Sequence, residues 1–118
     1  MTLPYFLATP KIKISVKHIN NPGRIMELEV QHNKERKRFF TFIEGREAYL
    51  SYVNDNDNVL IFDHTYVPFN LRGRGIAAKI VGYALRYAKE NNFKVIPSCS
   101  YVRVFIERNK QFSDLVEE

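Results

Sequence analysis

Alternation governs the first half of the chain and helical spacing the second. Residues 11–19, Lys-Ile-Lys-Ile-Ser-Val-Lys-His-Ile, set polar against apolar positions as a half-exposed strand does. Asn20-Asn21-Pro22-Gly23 follows as a turn. Met26–Gln31 and Arg36–Phe42 read as two more strands joined through His32-Asn33-Lys34-Glu35. Glu44-Gly45 turns the chain into a strand over Glu47–Val53, and Asn54–Asn58 reads as a polar hairpin loop. A long strand over 58–67 stops at Pro68, which has no N–H to add to a ladder. Past a glycine loop, Ile76, Ile80, Val81, Ala84, Leu85 and Ala88 recur at helical spacing, predicting a helix over 74–91 closed by Asn91-Asn92. Phe93–Pro97 is a short strand, and the intervening helix makes it parallel to strand 58–67. A last helix near 101–109 would be capped by Ser98 or Ser100, before Asp114-Leu115-Val116 ends a short tail. The outline is an antiparallel meander followed by β-α-β-α, an α/β (α+β) chain with one mixed sheet.

Composition narrows the picture. At 118 residues, 45% apolar and 14% aromatic, the chain is one globular domain with a true core. No apolar run approaches the ~20 residues of a membrane span, and the first ten residues lack the features of a signal peptide. One cysteine excludes an internal disulfide and suits a reducing, cytoplasmic compartment. A formal charge of +5 favours an anionic partner without choosing among nucleotide, nucleic acid and acidic surface. The one local basic run, Lys34–Arg38, alternates onto both faces of a strand, which fits an exposed edge better than a nucleic-acid groove. The acidic positions of Asn54–Asn58 lack the glycine and closing glutamate of a calcium loop, so no metal is expected.

Chemistry concentrates in Leu71-Arg72-Gly73-Arg74-Gly75-Ile76-Ala77-Ala78-Lys79-Ile80. Two arginines and two glycines on a loop that feeds a helix N-terminus make an anion cradle, above all for phosphate. The glycines allow close backbone approach, and the guanidinium forks suit phosphate oxygens. Gly73-x-Gly75-x-x-Ala78 formally matches a dinucleotide fingerprint, but it comes after several strands and lacks the acidic residue at the next strand end. Lys79 is not set in the glycine–lysine–hydroxyl arrangement of a triphosphate loop either.

Arg72-x-x-Gly75-x-Ala77 instead resembles the [QR]-x-x-G-x-[GA] motif of the GNAT superfamily of acyl-CoA N-acyltransferases. His64-Thr65, Val67-Pro68, Leu71–Ala77, Lys94–Pro97, Cys99–Val102 and Asp114–Val116, in that order, resemble its small, stripped-down single-domain subfamily. The likeness runs from Glu27 to Val116. It leaves residues 1–25 as an N-terminal extension, either an added edge strand or a mis-assigned start, ahead of a domain over 26–118.

The resemblance implies that strands 58–67 and 93–98 run parallel and splay apart around acetyl-CoA. Pantetheine amides would meet the backbone near Tyr66 and Val67. The diphosphate would sit on Arg72, Gly73, Arg74, Gly75, Ile76 and Ala77. Cys99, at the start of the last helix, is implied as an active-site thiol or is a buried wall residue, and Tyr101 is a proton donor to the departing CoA thiolate or an aromatic lining the cleft. His64 is a base or a packed or hydrogen-bonded strand residue. Tyr66 stands where members commonly carry glutamate, and Asn109-Lys110 where they often carry His-Pro. The first helices of larger members are missing, which leaves the acceptor side open. The sequence therefore supports an acetyl-CoA-dependent N-acetyltransferase acting on an unspecified amine, with a non-catalytic acyl-CoA-binding module as the alternative. Nucleic acid and membrane are disfavoured as partners, and monomer and homodimer stay open.

Overall fold

The computed structural model describes residues 11–17 and 25–117, with side chains from Leu28 onward. Strands β1 (Lys11–Lys17), β2 (Ile25–Asn33), β3 (Arg38–Ile43), β4 (Arg46–Asn56) and β5 (Val59–Tyr66) are followed by helix α1 (Ile76–Glu90). Strand β6 (Lys94–Pro97) and helix α2 (Ser100–Arg108) complete the β-α-β-α half, and a 3-10 helix spans Lys110–Leu115. The strands lie in one sheet in chain order; β1 to β5 pair antiparallel, and β6 joins β5 in parallel. The mixed sheet with late helices is the architecture that the sequence pattern implies.

Local chemistry moved several boundaries. The β2–β3 connection is Lys34–Lys37, not 32–35, because Asn33 Oδ1 accepts the amides of Glu35 and Arg36, both at 3.0 Å. The basic run therefore lies mostly on this turn rather than along a strand. Glu44 and Gly45 both take positive φ (55° and 77°), the two-residue turn that matches strand twist. The polar loop 54–58 shrinks to Asp57-Asn58. Strand β4 runs on to Asn56, whose Oδ1 receives the Asn58 amide at 2.9 Å. Helix α1 starts at Ile76, two residues late, since Gly75 is left-handed. Its far end closes on left-handed Asn92, with the Phe93 amide donating to Ala88 O at 2.8 Å. Cys99, not a serine, occupies the N-cap of α2. The tail is no loose end: Phe112 and Leu115 are buried, and the Glu117 amide donates to Val95 O at 2.9 Å. The expected turn at 20–23 lies outside the described residues.

One sheet face is closed by α1. Leu28, Val30, Phe39, Leu50, Leu60, Phe62 and Val95 meet Ile76, Ile80, Val81, Ala84, Leu85 and Ala88 in one cluster. Buried among them, the His32 ring stacks on Phe39 (centroids 4.1 Å apart), and its Nε2 lies 2.6 Å from the Tyr52 hydroxyl. Burial, with Lys34 adding to it, lowers the His32 pKa to about 4. Burial, with Tyr87 adding to it, raises that of Tyr52 to about 12.

Strand β5 carries the feature on which the site depends. Ser51 faces His64, but its neighbour Tyr52 faces Phe62, so Asp63 is an extra residue. The Ser51 hydroxyl donates to Asp63 Oδ1 at 2.7 Å and pins this bulge. Strict alternation from Leu60 and Phe62 would next turn His64 inward. The bulge turns Thr65 inward instead, opposite buried Leu50. His64 is exposed on the outer face, 6.1 Å from the Tyr49 ring. It is neither packed in the core nor in the cleft described below.

Candidate functional site

Strands β5 and β6 pair from Val59↔Lys94 to Phe62↔Pro97 and then part. The Cys99 amide donates to Phe62 O at 3.0 Å and holds the crotch of this fork. Beyond it, Asp63–Tyr66 keep β4 as their sole partner strand among the described residues. A strand edge with free main-chain groups is a template for extended amides.

The fork opens into a cleft of about 360 Å³ lined by Thr65, Val67, Leu71, Arg72, Gly73, Gly75, Ile76, Ala77 and Tyr101. The structure thus brings together most of the residues singled out by the sequence. Its rim is the loop into α1. Gly73 and Gly75 have φ of 85° and 78°, and a Cβ on either would meet nothing within 4 Å. The backbone conformation, not crowding inside the chain, demands glycine there. Helix α1 has no side-chain N-cap and no acidic residue in its first turn, so its leading amides are left for a ligand. Arg72 Nε donates to Val67 O at 2.9 Å, which ties the loop to the end of β5. A set of donors alone, amides plus a guanidinium, fits a diphosphate.

Three sequence-selected residues lie differently. Arg74 pairs with Glu44 Oε2 at 3.1 Å, away from the cleft lining. Tyr66 faces outward against Tyr49 (ring centroids 5.6 Å), so only its main chain borders the fork. Cys99 is half-buried behind Thr65, with Sγ 3.4 Å from Thr65 Oγ1. Burial pushes the Cys99 thiol pKa up. The Thr65 hydroxyl and the amides of Val102, Tyr101 and Thr65 outweigh it, and the thiol ends below its ordinary value. Burial raises the Tyr101 hydroxyl pKa despite Arg108, so Tyr101 holds its proton at neutral pH.

Thr65 and Leu71 are the lining residues that the sequence did not single out for chemistry. No periodicity could find Thr65, because the bulge that aims it breaks the periodicity. The basic run 34–38 is spread out and partly neutralised. Lys37 donates to Asn54, while Arg38 pairs with Glu47 at 3.2 Å and covers the Tyr49 ring at 3.8 Å. Among the described residues no helix is long and apolar enough to cross a membrane.

Comparison with known proteins agrees with this geometry. Residues 38–115 match the GCN5-related N-acetyl-transferase family model. The chain is 30% identical over 84 residues to Protein NATD1 of Gallus gallus, covering 70% of this chain and 76% of that protein. Protein NATD1 of Bos taurus is 30% identical over 90 residues, covering 75% and 80%. A GCN5-like protein from Staphylococcus aureus, solved by NMR, superposes with a TM-score of 0.62 at 28% identity, covering 76% of this chain and 88% of that one.

Proposed function

Because the chain belongs to the GCN5-related N-acetyltransferase family, we propose that it transfers an acetyl group from acetyl-CoA to an amine. One observation carries this reading: the fork between β5 and β6 opens directly onto an uncapped helix N-terminus. A pantetheine arm and a diphosphate need those two surfaces side by side. The amides of residues 72–77 with Arg72 would hold the diphosphate, and the free edge of β5 near Tyr66 and Val67 the arm.

Acetyl-CoA supplies an acyl group already activated as a thioester. The chain must then orient that carbonyl, exclude water and manage protons. Tyr101, which lines the cleft and keeps its proton, is the donor for the leaving sulfur. Cys99 provides a thiol at the inner end of the fork, held below its ordinary pKa; its thiolate form can accept a proton or an acyl group. Among the described residues no carboxylate or histidine lines the cleft, so the acceptor amine loses its proton to solvent or to that thiolate. The single thiol suits a reducing compartment, and we place the protein in the cytoplasm.

The test is incubation with isotopically labelled acetyl-CoA and a panel of amines, peptides included, read by mass spectrometry beside calorimetry with CoA. Acetylated product that disappears in Tyr101→Phe and Cys99→Ala supports the reading. CoA binding with no acetyl transfer to any amine would leave a binding module; no CoA binding at moderate salt rejects both.

A further inference from the structure

The proposal rests on the acetyltransferase reading above and concerns a residue that it does not use. Thr65 reaches the inner face only because Asp63 is inserted into β5, and Ser51 fixes that insertion through Asp63 Oδ1 at 2.7 Å. Thr65 then stands where β5 has lost its β6 partner, lines the cleft, and lies with Oγ1 3.4 Å from Cys99 Sγ. The thiol itself is set by the Cys99 amide on Phe62 O at 3.0 Å, so both ends of the contact are anchored to the same strand.

We propose that Thr65 is the positioning residue of the Cys99 thiol, its hydroxyl fixing Sγ at the crotch of the fork where the acyl end of a bound thioester would arrive. A hydroxyl at this distance can donate to a thiolate, and no side chain competes for Sγ among the described residues. The methyl of Thr65 limits rotation about its Cα–Cβ bond, so the hydroxyl is pre-aimed. Three main-chain amides act on the same sulfur: those of Tyr101 and Val102 come from the start of α2, and that of Thr65 is kept whatever its side chain. The hydroxyl therefore contributes part of the thiolate's stabilisation and all of its side-chain anchoring.

The chain has a single cysteine, so alkylation by iodoacetamide reports Cys99 alone. In Thr65→Val, nearly the same shape without the hydroxyl, the midpoint of alkylation rate against pH should rise by about one unit, roughly tenfold in thiolate fraction near neutrality. Thr65→Ser should restore the midpoint. CoA affinity by calorimetry should stay within about twofold, and kcat should fall while KM for acetyl-CoA holds. If Val destabilises the fold, Thr65→Ala against Thr65→Ser makes the same comparison. An unmoved alkylation profile in Val or Ala, or a serine variant that fails to restore it, overturns the proposal. That result leaves the acetyltransferase reading standing if CoA still binds and acetyl is still transferred. Wild type that transfers no acetyl group defeats the reading instead, whatever the alkylation profile shows.

Discussion

The two halves of β5 differ in what lies beside them. Val59–Phe62 has β4 on one side and β6 on the other; Asp63–Tyr66 has β4 alone. In the first half the inward residues, Leu60 and Phe62, are sealed under α1. In the second half the inward residue is a threonine at the wall of a cleft. The chemistry follows the packing. In the sealed region burial dominates, pushing His32 down to about 4 and Tyr52 up to about 12. At the open fork burial is incomplete, and hydrogen bonds reverse its effect on Cys99. One continuous strand thus serves first as core and then as an open edge. The switch is a lost partner strand and one inserted residue.

The contrast should break most visibly in the sealed half. Phe62→Ala should lose about 3–5 kcal/mol by urea denaturation, whereas Tyr66→Ala in the open half should lose under about 1 kcal/mol. Equal losses would mean that the two halves are packed alike. His32 gives the next largest effect. Its pKa is near 6.5 when unfolded and about 4 when folded, so between these values the unfolded chain binds the proton more readily. Stability is then full above pH 6.5 and declines as pH falls toward 4, by about 3 kcal/mol in all. Urea midpoints across that window check this, and His32→Gln should flatten the slope that His32 contributes.

Smaller effects sharpen the open half. Gly75→Ala forces a side chain into a left-handed position at φ 78°, which costs about 1–2 kcal/mol of stability. CoA affinity should drop about tenfold as the loop relaxes out of shape, a change for calorimetry to register. The smallest change is expected at Glu44, whose pair with Arg74 is largely solvent-exposed. Glu44→Gln should move stability by no more than about 0.5 kcal/mol. Freeing Arg74 should tighten CoA binding about twofold at low salt and not at high salt; tightening that ignores salt would point to something other than charge.

Much of this was legible in the chain. The meander, the parallel return strand and the glycine loop before the helix follow from alternation, helical spacing and a proline stop. Arg72, Gly73, Gly75, Ile76 and Ala77 all reach the cleft as the motif implies. Boundaries were less legible, since single side chains such as Asn33 and Asn56 set them by bonding to nearby amides. The pairing of Arg74 was illegible for a similar reason: its partner, Glu44, lies thirty residues away in sequence on another turn.

By itself the sequence determined which segments are strands and helices, and where a glycine loop leads into a helix N-terminus. Both follow from short-range periodicity and from backbone freedom at glycine. Only the tertiary structure decided which side of β5 each residue occupies, and hence that Thr65 rather than His64 meets Cys99. A bulge is a mismatch between two strands, fixed here by a Ser51–Asp63 hydrogen bond across them, and one strand read alone holds no trace of it.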